Sequence, residues 1–237
     1  MPFRKLIDGY RDFHKLYFKG KSETYSHLVQ EGQMPEALVI ACSDSRIDPA
    51  IVTGSGPGDI FVVRNVAAIV PPYEKDNRHH GTSAALEFAV KALKVPRIVV
   101  MGHSLCGGVQ ALADKEVSKD AFDFIGPWMN ICEPARQAVE KDMIDAPEDM
   151  RRRALEQAVV LTSLKNLMTF PWVAERVNEG ALKLHGWYFD LTTGELSEYD
   201  PETAQFANVL LKTNTKKVSG SGCCGDISLS KFLKKAG

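Results

Sequence analysis

Continuously apolar runs alternate with amphipathic stretches through the middle of the chain, a pattern typical of parallel strands covered by helices on both faces. The apolar runs predict strands at residues 37–42, 59–64 and 97–102. Between the last two, the pattern predicts a helix with Thr82 or Ser83 at its N-cap. The side chains expected to face inward from this helix are Ala85, Leu86, Ala89 and Leu93. A strand, a crossover helix and a second strand make the sheet largely parallel.

The beginning of the chain has an amphipathic pattern. Large apolar side chains recur there at helical spacing: Leu6, Tyr10, Phe13, Tyr17 and Phe18. Gly20 is predicted to end this first helix, and a helical arm is expected over residues 1–35. The pattern leaves two surfaces for its apolar face, the chain's own domain or a neighbouring subunit.

Two helices and a hairpin are predicted in the second half of the chain. The helical tract at residues 148–179 is interrupted by Pro171, so it should form two helices. Residues 182–191 predict a strand that turns at 192–194 into a second strand at 195–199. This hairpin would form the edge of the sheet.

We therefore predict an α/β fold, a single domain with a mostly parallel central sheet flanked by helices, an N-terminal helical arm and an antiparallel edge strand. No internal repeat or low-complexity linker divides residues 1–237. The α/β core is expected over 36–200, and the tail over 201–237 has no clear period. Within that tail, Cys223 and Cys224 are adjacent, an arrangement poorly suited to chelating one ion.

Composition excludes several classes of function. The net charge of −1 and pI near 6.6 give no electrostatic case for nucleic acid or an anionic membrane, and the basic run at 151–153 reads as a solvated helix face. The chain has no apolar stretch of membrane-spanning length and no apolar core after its first residues that would suggest a secretory signal. Five cysteines fit a reducing compartment, so a cytoplasmic location is expected.

Candidate chemistry lies at the ends of two predicted strands. Cys42 and Asp44 follow the first strand, and His103 and Cys106 follow the third. Open α/β sheets bind ligands at the carboxyl ends of their strands, and two thiolates, one imidazole and one oxygen donor suit tetrahedral zinc. Arg46 can compete for Asp44 by a bidentate ion pair, so Asp44 either closes the metal shell or leaves one position open.

These segments resemble a known family, the β-class carbonic anhydrases. The likeness covers residues 37–112 closely, through the strings ACSDSR, PGDIFVVRNVAAIVPPY, GTSAALEF and IVVMGHSLCGG, and returns more weakly at 184–187. The resemblance implies reversible hydration of carbon dioxide to bicarbonate and a proton, by zinc-bound hydroxide. It implies one zinc per chain on Cys42, His103 and Cys106, and a catalytic dyad of Asp44 with Arg46.

The resemblance also implies a substrate site and a partner. It places near the carbon dioxide slot the residues Gln33, Ile47, Phe61, Val66, Phe88 and Gly107. From the residues alone, Phe61 and Phe88 read as core packing and Gln33 as a solvated loop residue. The family builds its active site at a dimer interface, so self-association as a dimer or tetramer is expected.

Within the family the sequence is similar to the plant-like, open-site subgroup. Another subgroup holds a regulatory bicarbonate on tryptophan, arginine and tyrosine. This chain keeps only Arg64 of the three, with Val39 and Phe189 at the other two positions. A buried anion without its donors is strongly disfavoured, so no such regulation is expected.

Two other functions remain compatible with the ligands. The same residues could form a closed structural zinc site in a protein without catalysis, although Arg46 argues against it because such a site needs no competitor for its own ligand. Hydrolysis of carbonyl sulfide or carbon disulfide on the same scaffold is the other.

His79 and His80 lie in a polar loop where either could relay protons.

Overall fold

Six strands form one sheet in the part of the chain that this computed structural model describes, residues 2–20, 23–76, 78–114 and 123–212. They are β1 Ala37–Cys42, β2 Ile60–Asn65, β3 Arg97–His103, β4 Lys183–Phe189, β5 Leu196–Asp200 and β6 Gln205–Asn208. Their spatial order is β2-β1-β3-β4-β5-β6. The first four in that order run parallel, and β5 and β6 are antiparallel. The predicted sheet with an antiparallel edge is confirmed.

The helices cover and connect these strands. They are α1 Pro2–His14, α2 Thr24–Glu31, α3 Pro49–Thr53, α4 Gly81–Glu87, α5 Gly107–Ala113, α6 Ile125–Met129, α7 Glu133–Asp142, α8 Glu148–Leu167, α9 Pro171–Asn178 and α10 Val209–Lys212. Short π-helical turns at Lys15–Lys19 and Phe88–Ala92 extend α1 and α4, and 3₁₀ turns lie at Val66–Ala68 and Asn130–Cys132. Pro171 stands in the first turn of α9, so the predicted break into two helices is confirmed.

The register of the central strands brings the carboxyl ends of β1 and β3 next to each other. All six residues of β1 are buried. Ala41 lies opposite Met101 of β3 on one side and Arg64 of β2 on the other. Cys42, which follows Ala41, and His103, two residues after Met101, therefore lie at the same carboxyl edge of the sheet.

Helix α8 packs closely across β3 and β4 because each strand has a glycine beneath it. A Cβ added at Gly102 would lie 2.5 Å from Val160 Cγ2, and one added at Gly186 would lie 2.9 Å from Leu164 Cδ1. Any larger side chain would push the helix away from the sheet. Gly102 directly precedes His103, so this contact also fixes the height of the third strand's end.

Several element boundaries differ from the sequence prediction. Helix α4 begins at Gly81 with His80 as its N-cap, so the predicted caps Thr82 and Ser83 were wrong. The Thr82 hydroxyl accepts a hydrogen bond from Asn65 Nδ2 at 3.2 Å, and the first helical bond is donated by the Ala84 amide to the His80 carbonyl.

Several described elements, among them α6, α7 and β6, carried too weak a pattern to be predicted. Helices α6 and α7 follow a stretch outside the described residues and are largely short or polar. Strand β6 has only four residues and pairs with β5 beyond residue 200, so the sheet continues into the segment assigned to the tail. Cys223 and Cys224 lie outside the described residues.

The N-terminal arm leaves its apolar side chains uncovered by its own chain. Gly20 ends the π-helical turn after α1, as predicted. Exposed large apolar residues of the arm are Phe3, Leu6, Ile7, Tyr10, Leu16, Phe18 and Val29. Within the described residues, no helix is long and apolar enough to span a membrane.

Candidate metal centre

Cys42, His103 and Cys106 form a buried group whose ligand atoms all lie within 4.8 Å of one another. Their residues are 4%, 1% and 3% exposed, and the two Sγ atoms are 3.9 Å apart. Cys42 ends β1, His103 ends β3, and Cys106 is the N-cap residue of α5. The predicted convergence of these three residues at one edge of the sheet is confirmed by this geometry.

The imidazole of His103 is oriented for a metal. Its Nδ1 lies 2.9 Å from the Ser104 carbonyl oxygen, so Nδ1 carries the hydrogen and donates it. The other nitrogen, Nε2, is buried and has no hydrogen-bond partner among the described residues. A buried nitrogen lone pair beside two thiols is a donor set that fits zinc.

The thiols of Cys42 and Cys106 contact each other and change each other's pKa. A hydrogen bond from Cys106 lowers the pKa of Cys42, and the same contact raises the pKa of Cys106. Burial disfavours the charged form of His103, but the neighbouring Cys42 sulfur outweighs it and raises the pKa of His103. One proton is thus shared near the two sulfurs, and a divalent cation would replace it.

Asp44 is held by Arg46 rather than by the ligand group. Arg46 Nε donates to Asp44 Oδ1 at 3.0 Å and Nη2 donates to Oδ2 at 2.7 Å. The Arg46 amide donates to Oδ1 at 2.9 Å, and Nη2 also donates to the Leu105 carbonyl at 2.9 Å. These bonds hold the pKa of Asp44 well below its usual range. Asp44 Oδ2 lies 3.9 Å from His103 Nε2, so the carboxylate stands beside the group without closing it.

A network that sequence reasoning missed secures the loop between His103 and Cys106. The Ser104 hydroxyl accepts from the Leu191 amide at 2.8 Å and donates to Asp190 Oδ1 at 3.3 Å. Asp190 Oδ2 is also paired with Arg153 Nη1 at 3.3 Å. Leu105 adopts a φ of 57°, which is unusual for a residue with a side chain.

A buried carboxylate lies behind Cys106. Glu156 is 3% exposed; its Oε2 accepts from the Tyr188 hydroxyl at 2.7 Å and its Oε1 from the Cys106 amide at 3.4 Å. Burial raises the pKa of Glu156 despite these bonds. Glu156 and Tyr188 could not be found from sequence, because neither belongs to a local motif and 32 residues separate them along the chain.

Comparison with known proteins agrees with this geometry. A family model described as carbonic anhydrase matches residues 37–196, and beta carbonic anhydrase 5, chloroplastic, of Arabidopsis thaliana is 38% identical over 93% of this chain and 70% of that protein. The chain belongs to the β-carbonic anhydrase family. Enzymes of this family depend on zinc.

Further comparisons strengthen the assignment of this β-carbonic anhydrase. A carbonic anhydrase of Pseudomonas aeruginosa is 36% identical over 92% of this chain and 96% of that protein. The solved β-carbonic anhydrase CcaA has a TM-score of 0.82 at 34% identity, covering 88% of this chain and 100% of that one. A tetrameric β-carbonic anhydrase of Sordaria macrospora has a TM-score of 0.68 at 31% identity, covering 83% and 93%.

Three of the predicted substrate residues of this β-carbonic anhydrase follow the carboxyl ends of its strands, whereas Phe61 lies toward the opposite end of β2, level with Leu38. Ile47 is buried in the loop after β1, Val66 follows β2, and Gly107 begins α5 next to Cys106. Phe61 and Phe88 face each other with ring centroids 5.9 Å apart, and Phe88 is 49% exposed.

Other predicted residues lie on the surface of the single chain. Gln33 is exposed in the loop between α2 and β1. His79 is exposed, and His80 Nε2 lies 2.6 Å from Asp76 Oδ1. No described contact links these residues to the ligand group, so their predicted roles stay predictions.

We predict that Cys106→Ser loses most of its zinc, because a serine hydroxyl is a far poorer zinc ligand than a thiolate. Metal analysis of the purified protein measures this. Cys132→Ala is the matched control, since Cys132 is equally buried but outside the ligand group. Full zinc content in Cys106→Ser would contradict the ligand assignment.

Proposed function

We propose that this β-carbonic anhydrase catalyses the reversible hydration of carbon dioxide to bicarbonate and a proton, with one zinc per chain on Cys42, His103 and Cys106. One observation carries the proposal most directly. The three ligand atoms converge within 4.8 Å, while Asp44, the carboxylate of the same motif, is bonded to Arg46. Three protein ligands with a fourth position open are the signature of a catalytic rather than a structural zinc site.

Bound zinc would act as a Lewis acid that makes water a nucleophile near neutral pH. The residues around it would then bind and orient the reactants. Asp44 Oδ2, 3.9 Å from His103 Nε2, would accept a hydrogen bond from a water beside the ligand group, and would so direct the oxygen lone pair toward carbon dioxide. Arg46 keeps Asp44 ionised and fixes both of its oxygens, so the carboxylate remains an acceptor throughout.

Carbon dioxide is apolar and needs a slot free of competing water. Ile47 and Val66 would supply the wall next to the ligand group of their own chain. The Phe61–Phe88 pair lies toward the other end of β2 and would line the slot of a second copy. Phe88 and Gln33 are exposed in a single chain. We propose that a second copy completes the slot by covering them.

The alternatives make different demands on the dyad. A structural zinc protein would have no use for the bidentate Asp44–Arg46 pair, because Asp44 would serve better as a fourth ligand. A carbonyl sulfide or carbon disulfide hydrolase would use the same ligands, so only the substrate distinguishes it from a carbonic anhydrase.

Stopped-flow hydration of carbon dioxide by the zinc protein, beside assays with both sulfur compounds, tests the proposal. Zinc-loaded protein without hydration activity would overturn it.

We predict a gradual rise of hydration rate with pH and no cooperative loss on adding bicarbonate. The pKa of Asp44 is depressed, so Asp44 stays ionised until well below neutral pH and its protonation does not limit the rate there. Two thiolates donate more charge to zinc than two imidazoles would, which moves the rise toward alkaline pH. Rate measurements across neutral and alkaline pH, with and without bicarbonate, check this. Steep inhibition by bicarbonate near neutral pH would contradict it.

We predict that Arg46→Ala abolishes most hydration, by about 100-fold or more, while zinc content stays normal. Without the guanidinium, Asp44 would turn to the metal and fill the open position. Metal analysis and initial rates measure both effects. Arg97→Ala, which removes an exposed ion pair with Glu36 at the opposite ends of the strands, is the matched control. Near wild-type rates in Arg46→Ala would refute the role of the dyad.

We predict self-association as a dimer or tetramer through the arm. Its exposed apolar side chains require a partner surface, a solved relative is tetrameric, and stable dimers commonly bury about 2,000 Å² or more. Sedimentation velocity should show the larger species, and Leu6→Glu with Tyr10→Glu should shift it toward smaller ones. Lys5→Glu, off the apolar stripe, should not. A stable, active wild-type monomer at micromolar concentration would contradict this.

We also propose a cytoplasmic location, supported by the cysteine usage.

A further inference from the structure

Arg64, at the end of β2, is bonded almost entirely to one short segment of backbone. Its Nε donates to the Cys42 carbonyl at 2.9 Å, and its Nη2 donates to the carbonyls of Asp44 at 2.7 Å and Ile47 at 2.6 Å. Its Nη1 donates to Asp48 Oδ2 at 3.0 Å. One guanidinium thus reaches both ends and the middle of residues 42–48.

That segment carries the chemistry but has little regular structure of its own. It connects β1 to α3. Its other main-chain bonds outside the sheet are donated by the Ser43 amide to the Asn65 carbonyl at 2.8 Å, by the Ile47 amide to the Asp44 carbonyl at 3.3 Å, and by the Val52 amide to the Asp48 carbonyl at 2.9 Å. Without Arg64, three main-chain carbonyl oxygens would lose a side-chain donor, those of Cys42, Asp44 and Ile47. The Asp44 carbonyl would keep only its bond from the Ile47 amide. Buried or half-buried carbonyls without donors are costly, and the chain would rearrange to satisfy them.

Asp48 couples the same guanidinium to helix α3. Its Oδ1 accepts from the amides of Ala50 and Ile51 at 3.0 and 3.4 Å and caps the helix, while Oδ2 receives Arg64. The segment is therefore held between β2 on one side and a helix start on the other. Most donors of Arg64 are committed to protein acceptors, which leaves it poorly suited to hold a free anion.

We infer that Arg64 is a positioning residue: it holds the backbone of residues 42–48 in the arrangement that points the Asp44 carboxylate at Arg46 and away from the metal position. This inference rests on the proposed function. The Asp44 carbonyl and the Asp44 side chain share one Cα, so fixing the carbonyl limits where the carboxylate can turn. Arg64 itself touches neither reactant, and it acts through Asp44.

The shape of the guanidinium matters more than its charge. A planar fork can donate to several acceptors at once, whereas an ammonium is a single point charge on a flexible stem. Arg64→Lys therefore keeps the charge and removes the geometry. Arg176→Lys is the matched control, because Arg176 also bonds carbonyls, those of Val90, Lys94 and Ala181, at the opposite edge of the sheet.

The experiment compares wild type, Arg64→Lys and Arg176→Lys in three measurements. First, hydrogen exchange of the metal-free proteins should show faster exchange at the Arg46 and Ile47 amides in Arg64→Lys alone. Second, the visible absorption of the cobalt-substituted proteins reports whether the fourth ligand is an ionisable water or a carboxylate, and it should lose its pH dependence in Arg64→Lys. Third, kcat should fall by about 10- to 100-fold with zinc content unchanged.

Exchange at those amides equal to wild type, together with an unchanged cobalt spectrum in Arg64→Lys, would overturn the inference. A loss of kcat in Arg64→Lys no larger than the loss in Arg176→Lys would also overturn it. If Arg64→Lys does not fold, Asp48→Asn keeps the capping oxygen and removes the ion pair, and it should show the same changes in weaker form; no change would again overturn the inference. If the wild type itself fails to hydrate carbon dioxide, the proposed function fails, while exchange and cobalt absorption still decide the role of Arg64.

Discussion

The parallel register between β1 and β3 is the constraint on which the site depends. A slip of one residue would send Cys42 to the other face of the sheet and separate it from His103. Alternation of apolar and polar residues cannot set this register, because all of β1 is buried. Contacts at the strand ends instead hold each strand in place against its other neighbours. Gly102 must lie beneath Val160, and the Cys42 carbonyl must reach Arg64.

Burial and charge oppose each other in the ligand group. The two sulfurs lie in an apolar cluster with residues such as Val109 and Met129, where an unpaired thiolate is unfavourable. Glu156 adds a third acidic group behind Cys106, and burial raises its pKa so that its charge is also disfavoured. A divalent cation bound by the two sulfurs would relieve this conflict, because its positive charge would neutralise the two thiolates.

The sequence predicted what is local and strongly patterned. Strand β1 and the break before Pro171 were predicted correctly, and the three ligand residues were identified because their types are rare in such positions. Long-range partners were not predictable. Ser104 reaches Asp190 across 86 residues, and Glu156 reaches Tyr188 across 32; nothing in the surrounding pattern distinguishes these pairs from ordinary polar residues. The N-cap of α4 was predicted at the wrong residue for the same reason, since the Thr82 hydroxyl accepts a long-range hydrogen bond from Asn65 at the end of β2.

Both loops of the site are secured independently of any metal. Arg64 and Asp48 hold the loop after β1, and Arg153, Asp190 and Ser104 hold the loop after β3. In small zinc domains the metal supplies the folding energy, and the apo chain is unfolded. Here a six-stranded sheet supplies the core, and its strand ends carry the ligands. The ligand residues therefore lie at the ends of strands that the core holds in place, and arginine bonds to a carboxylate and to backbone carbonyls fix the segment that carries Asp44 beside them.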